Sequence, residues 1–272
     1  MSFAEYIGSA GFRCECGAQV LVGESADAPI VLCGGPKTVD VADGVSVRLI
    51  AAHAAGSDMT VSVNLGAGAR VEMVEWYDGG RGAVHLKQQA GSRFALTSVV
   101  TGSATADYAT ELNGAGAEYI LGGVFFAGAG ATAGVRVRVA HNAADCRSES
   151  TVKGVAAGDG CGRFEGLVYV AEGAQRTDAR QTSRNLLIGG EARITTLPQL
   201  EIYADDVKCS HGATVGQMDA DAILYMRQRG ISEPMARRLQ VGGFIADVVM
   251  HCAVAEVGGA LLEALQEKTD LL

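Results

Sequence analysis

Cys209-Ser210-His211 sets a thiol and an imidazole two residues apart. In an extended strand both point to the same face, because side chains alternate. A thiolate and an imidazole suit iron or zinc. Two ligands do not close a tetrahedral site, so a metal held there needs partners from elsewhere. The competing reading is a buried thiol beside a hydrogen-bonded histidine, and spacing alone favours it. His141-Asn142-Ala143-Ala144-Asp145-Cys146 is a weaker Cys/His neighbourhood, whose simpler reading is polar packing at a strand end. Cys14 and Cys16 can also share a strand face, with Cys33 downstream. Burial as small hydrophobes is the simpler expectation for these three, and their role is left open. No CxxC or CxxCH occurs, so neither a zinc ribbon, a thioredoxin motif nor a haem attachment is indicated.

Other chemistries find less support. There is no G-x-S-x-G elbow, and Ser210-His211 as neighbours do not make a triad. Gly114-Ala115-Gly116-Ala117-Glu118 lacks a third glycine and a helical continuation, and no GxxxxGK[ST] is present. The chain is therefore expected to bind no nucleotide. Asp205 and Asp206 are adjacent, so in a strand they face opposite sides and cannot act as a catalytic pair. A carbohydrate-active enzyme remains an alternative, although one Trp, seven Tyr and seven Phe are few for sugar stacking.

The net charge of −9 and a pI near 5.1 argue against nucleic acid and against an anionic membrane surface. Seven cysteines spread from Cys14 to Cys252 do not form a dense, even-numbered disulfide framework. The opening Met1-Ser2-Phe3-Ala4-Glu5 lacks the basic, then apolar, pattern of a secretory signal. A cytoplasmic protein with free thiols is the expectation.

Thirty-seven glycines against four prolines point to the architecture that must carry these residues. Glycines open successive β-rich runs: Gly44 before Val45–Ile50, Gly66 and Gly68 before Arg70–Trp76, Gly91 before Arg93–Val100, and Gly114 and Gly116 before Glu118–Leu121. Later copies at Gly134, Gly173 and Gly190 are less regular. The early steps, about 22 to 25 residues, are the scale of one solenoid coil or one pair of hairpins, and glycine supplies positive-φ corners. Val135-Arg136-Val137-Arg138-Val139 alternates with period two, one face inward and one to solvent. The fold class expected is mainly β, a right-handed parallel β-helix with a C-terminal helical tail. An antiparallel sandwich is the runner-up. The β core should occupy residues 1–218, its first thirty or so irregular or capping, and the helical subdomain residues 219–272. In the tail, acids at Asp219 and Asp221, bases at Arg227 and Arg229, and Gly230 just beyond frame one helix. Ser232 reads as the N-cap of a second helix, with Glu233 and Pro234 in its first turn and Val241, Ile245, Val248 and Cys252 on its buried stripe. A third carries Leu261, Leu262 and Leu265.

The segment EIYADDVKCSHGATVGQMDADAILYMRQRGI, residues 201–231, resembles the C-terminal signature of the SufB/SufD family. Thr177–Ile188 (TDARQTSRNLLI) is similar to the family's TDA…NLLI strand, and Asp145–Glu149 with Phe164–Leu167 to the coil before it. The resemblance covers about residues 135–250. It implies a β-helix scaffold for iron–sulfur cluster assembly rather than an enzyme, with C-terminal helices that dock a SufC-type ABC ATPase. Two β-helix subunits then associate, as a homodimer or with a SufB-type subunit, and a transient cluster or iron forms at their interface. His211 matches the histidine implicated there, with Cys209 as its candidate companion and Cys146 and His141 as weaker ones. Tyr225, Arg227 and Arg229 are candidate contacts to the ATPase. Ser183 and Gly212 stand where the SufB branch has a functional cysteine and a glutamate, so the chain is closer to the SufD branch. It also resembles compact relatives without a long N-terminal helical region. A structural adaptor without cluster handling is the remaining alternative.

Overall fold

The computed structural model describes residues 3–53 and 56–269. Met1 and Ser2, the start of the stretch read for a secretory signal, lie outside them. A short helix α1 (Phe3–Ser9) precedes fifteen strands among the described residues. These are β1 (Arg13–Glu15), β2 (Gln19–Val22), β3 (Ile30–Leu32), β4 (Lys37–Val41), β5 (Ser46–His53), β6 (Asp58–Leu65), β7 (Arg70–Gln88), β8 (Arg93–Leu112) and β9 (Glu118–Ala127). There follow β10 (Thr132–His141), β11 (Arg147–Ala157), β12 (Cys161–Val170), β13 (Thr177–Ile188), β14 (Arg193–Ile202) and β15 (Val207–Gln217). Helices α2 (Ala220–Gln228), α3 (Glu233–Met250) and α4 (Gly258–Thr269) close the chain. The amino-terminal stretch expected to be irregular or capping thus carries α1, β1 and β2.

All the pairings are parallel and fall into two ladders within one sheet. One runs β1-β3-β5-β7-β8-β9-β11-β13-β15. The other joins β2, β4 and β6 to the second halves of β7 and β8, then to β10, β12 and β14. Alternation decides what each strand buries. In β12, Phe164, Val168 and Val170 are buried, while Arg163 is exposed and Glu165, Leu167 and Tyr169 are half-buried. Inward residues of both ladders, among them Val39, Leu49, Val63, Met73, Phe94, Tyr119, Val137 and Phe164, merge into one apolar core. Outward positions stack in register too, so Arg136 lies between Asp107 and Glu165, at 2.8 Å from each. Exposed pairs of this kind fix alignment more than they stabilise.

The corners bear out part of the glycine reading. Gly44, Gly68, Gly91 and Gly116 have φ of 69°, 67°, 63° and 71°, a region that costs any residue with a Cβ. The Gly68 amide, for example, donates to the Ala90 carbonyl of the next turn at 2.8 Å. Gly134, however, lies inside β10, and Gly173 and Gly190 are not in the left-handed region. The next corners are Asp145 (φ 63°) and Arg176 (φ 58°), whose side chains pair at 2.5 and 2.6 Å. An ion pair replaces conformational freedom there, which is why the glycine period fades.

The helical tail covers the outward face of the first ladder. Ile50, Val74, Trp76, Val99, Val124 and Val155 form a second apolar cluster with Phe3, Ile7, Val241, Ile245, Val248, Leu261 and Leu265. Strands buried on both faces read as continuous apolar runs, as in Gly123-Val124-Phe125-Phe126. Polar pins fix the tail. Lys153 of β11 meets Asp247 at 2.6 Å, donates to the Phe244 carbonyl at 2.5 Å and lies over the Phe244 ring. Lys268 holds Asp78 at 2.9 Å, and Arg48 pairs with Glu256. Asp219 caps α2 through the amides of Asp221 and Ala222, whereas Ser232 occupies the N-cap of α3 without a side-chain bond. Cys252 is not on the α3 stripe, because the helix ends at Met250; it packs half-buried in the loop beyond.

Two neighbouring glycines separate backbone space from backbone conformation. A Cβ at Gly114 would overlap the main chain of Gln89 and Ala90, while Gly116 has open space but a φ of 71°. Gly114→Ala should lower stability by about 3 kcal/mol or more, and Gly116→Ala by only about 1 kcal/mol. Denaturant midpoints of the two variants check this.

Candidate functional site

Among the described residues β15 is paired by β13 alone and β14 by β12 alone, so there both ladders end on an open strand edge. On β13 the inward row is Thr177, Ala179, Gln181, Ser183 and Asn185, all buried. Register sets Cys209 beside Ala179 and His211 beside Gln181. The thiol and the imidazole therefore lie on one face, the inward face of the last strand, as the sequence spacing requires. Cys209 is half-buried against Ala179, Val168 and Val170, and burial raises its thiol above the ordinary value. His211 is exposed, because no strand follows to cover it.

Beneath this row sits an unusual polar floor. Gln181 is buried, and neither its Oε1 nor its Nε2 finds a hydrogen-bond partner within the described chain. Asn185 donates to Ser183 Oγ at 2.9 Å and to the Thr214 carbonyl at 3.0 Å, yet its own Oδ1 is also unpaired. Unsatisfied buried amides are costly in a closed core. Here they lie one strand from the end of the ladder, with hydrogen-bonding capacity left over. Ser183 lies opposite Ala213 and is spent on Asn185; Gly212 lies opposite Thr182 and brings no ligand. Leu197 on β14 and Val215 on β15 are each 43% exposed, and Tyr203 just beyond β14 is 61% exposed, large side chains at two open edges.

The weaker candidates are placed elsewhere. Cys146 precedes β11, two strands from β15, which is about 10 Å of ladder. Its thiol donates to the Gly114 and Ala144 carbonyls at 3.3 and 3.6 Å, and burial raises it. His141 is buried, with Nε2 and Ser148 Oγ 2.8 Å apart, and burial lowers it to about 4. Neither is brought to Cys209 and His211. Asp205 and Asp206 lie exposed in the turn before β15. Among the described residues no three His, Cys, Asp or Glu side chains converge as a metal site, so Cys209 and His211 are at most half of one.

On α2, Tyr225 is 57% exposed, with the Arg229 guanidinium 4.8 Å from its ring centre. Arg227 pairs with Glu233 at 3.2 Å. Beside them Leu224, Met235 and Leu239 are about half exposed. These three, and Gln181, were not singled out from sequence. For Gln181 the signal was present, as Gln, Ser and Asn occupy the inward phase of TDARQTSRNLLI. For the helices it was not, because an exposed leucine is ordinary until its neighbours are known.

Comparison with known proteins places these elements. The family model for "SUF system FeS cluster assembly, SufBD core domain" matches residues 36–244. The chain is 45% identical over 113 residues to the iron–sulfur cluster assembly protein SufD of Escherichia coli, covering 42% of this chain and 27% of that one. It is 42% identical over 106 residues to an iron–sulfur cluster assembly SufBD family protein of Synechocystis, covering 39% and 23%. A Mycobacterium bovis protein of the same family is 33% identical over 166 residues, covering 58% and 42%. The matched stretches thus span less than half of each of these relatives.

His141 provides a pH test of its structural role. Its folded value near 4 lies below the unfolded value of 6.5, so the unfolded state binds the proton first as pH falls. Stability attributable to neutral His141 is intact above pH 6.5 and is lost down to pH 4, by up to about 3 kcal/mol. The His141→Gln variant should show a correspondingly smaller loss of unfolding free energy over that window.

Proposed function

We propose, for a chain that belongs to the SufB/SufD family of iron–sulfur cluster assembly proteins, the role of a SufD-like scaffold subunit that works with a SufC-type ABC ATPase in the cytoplasm. The carrying observation is the open end of the β body, where Cys209 and His211 share one face above the unpartnered Gln181. In this reading the two ladders are faces of a right-handed parallel β-helix comprising residues 1–218, and residues 219–272 form the docking subdomain.

The last strands need a partner for simple physical reasons. β14 and β15 present unpaired backbone groups and apolar side chains, which solvent disfavours and a second subunit can cover. A homodimer places two Cys209 and two His211 at one seam; a SufB-type partner adds its own ligands to a single pair. Either way the iron–sulfur cluster is cargo of the interface. A thiol and an imidazole are apt donors for iron, and Gln181 can orient one of them.

The ATPase reads the helices. Leu224, Tyr225 and Leu239 provide apolar contact, and Arg227 and Arg229 provide charge at the rim. The tail is pinned to β11 by Lys153 and to β7 by Lys268, so displacement of α3 by a closing ATPase is passed to the β body. The chain itself binds no nucleotide in this scheme.

Two measurements test the two halves separately. Anaerobic reconstitution with iron and sulfide should give a visible charge-transfer band that falls several-fold in His211→Ala and in Cys209→Ala. Unchanged loading in both removes the site. Co-purification with a SufC-type ATPase should weaken at least tenfold in the Leu224→Ala/Tyr225→Ala variant, about 1.4 kcal/mol or more. Full retention, with the variant's circular dichroism unchanged, moves the docking surface elsewhere.

A further inference from the structure

β1 begins its ladder, and β3 pairs with it in register. Glu15 aligns with Leu32, and the Cys33 amide donates to the Glu15 carbonyl at 3.0 Å. The next residues along the two strands are Cys16 and Cys33. Adjacent parallel strands run about 4.8 Å apart, inside the window of about 4.4–6.8 Å between α-carbons that a disulfide requires. Cys14 lies two residues before Cys16, so strand alternation puts it on the same side. The Cys33 thiol donates to the Val31 carbonyl at 3.9 Å and lies within electrostatic reach of the thiols of both Cys14 and Cys16. Cys14 and Cys16 are exposed and Cys33 is half-buried: one recessed thiol shared by two accessible ones.

The other four thiols differ. Cys146 is buried, Cys209 and Cys252 are half-buried, and exposed Cys161 opens β12, away from β1 and β3. Among the described residues no three side chains converge as a metal site, so the chemistry open to the amino-terminal trio is that of thiols in pairs.

We infer that Cys14, Cys16 and Cys33 form an exchange site for low-molecular-weight disulfides, in which an exposed thiol takes up the small molecule and Cys33 closes an internal bridge. The Cys16 or Cys14 thiolate attacks one sulfur of R–S–S–R. That bond breaks, a protein–S–S–R bond forms, and RS⁻ leaves to be protonated. The Cys33 thiolate then attacks the protein sulfur of the mixed disulfide, and the second RS⁻ leaves as the protein bridge forms. Two protein thiols are oxidised by two electrons, and one small disulfide is reduced to two thiols. Burial, with the two thiols beside it, pushes Cys33 up to about 11, so the first attack belongs to the exposed pair and Cys33 resolves. The bridge ties the edge strand β1 to β3 and opens again with reductant.

The test uses the full chain with all seven cysteines reduced, oxidised glutathione as the probe, and peptide mass mapping. The expected product is a bridge from Cys33 to Cys16 or Cys14, reversed by dithiothreitol, with Cys161 carrying only a glutathione adduct. Cys33→Ser should trap that adduct on Cys14 or Cys16 at several-fold higher occupancy than in the unmodified chain. Cys14→Ser/Cys16→Ser should abolish the bridge. Stable adducts on Cys14 and Cys16 without a bridge in the unmodified chain, or no reaction at either, would overturn the assignment. Those two outcomes are read without any variant, so a variant that fails to fold does not blur them.

Discussion

Parallel, in-register stacking is the constraint on which the rest of this protein depends. A strand with parallel neighbours satisfies its backbone only where another strand lies on each side, and it aligns like positions from turn to turn. Val137 beside Tyr108 and Gly166, or Arg136 between Asp107 and Glu165, are direct products of that alignment. The corners obey it as well, each donating an amide to the turn that follows. Where stacking stops, at β14 and β15, backbone groups and apolar side chains are left over.

The tail solves a different problem. The first ladder carries apolar residues on both faces, and only one face turns into the β core. Helices α3 and α4, together with α1, bury the other face. Apolar burial supplies the affinity in such packing, while Lys153, Lys268 and Arg48 fix where the helices sit. A partly buried ion pair contributes more to position than to stability.

The Cys209–His211 site is incomplete by construction. A thiol and an imidazole lie on the inward face of β15, two buried amides of the neighbouring β13 keep free hydrogen-bonding capacity, and Gly212 and Ser183 add no ligand. Two environments contrast most sharply among the seven thiols. Cys146 is locked on backbone carbonyls in the core, whereas Cys33 lies beside Cys14 and Cys16 at the opposite end of the ladder. Identical side chains thus carry different chemistry according to where the strand order leaves them.

The sequence by itself determined the strand phase, the helical tail and the shared face of Cys209 and His211. Side-chain alternation, helix capping and charge placement are local properties that a few residues specify. It also carried the family resemblance in residues 201–231. Only the tertiary structure decided which strands are neighbours, and with them everything that depends on adjacency. Cys33 meets Cys14 and Cys16 because β3 pairs with β1, seventeen residues after Cys16 in the chain but next to it in the sheet. Gln181 is orphaned because β15 is the last strand, and Cys252 leaves the α3 stripe because the helix ends at Met250. Burial and pairing are sums over the whole fold, so residue type and spacing name the groups while strand order settles which of them meet.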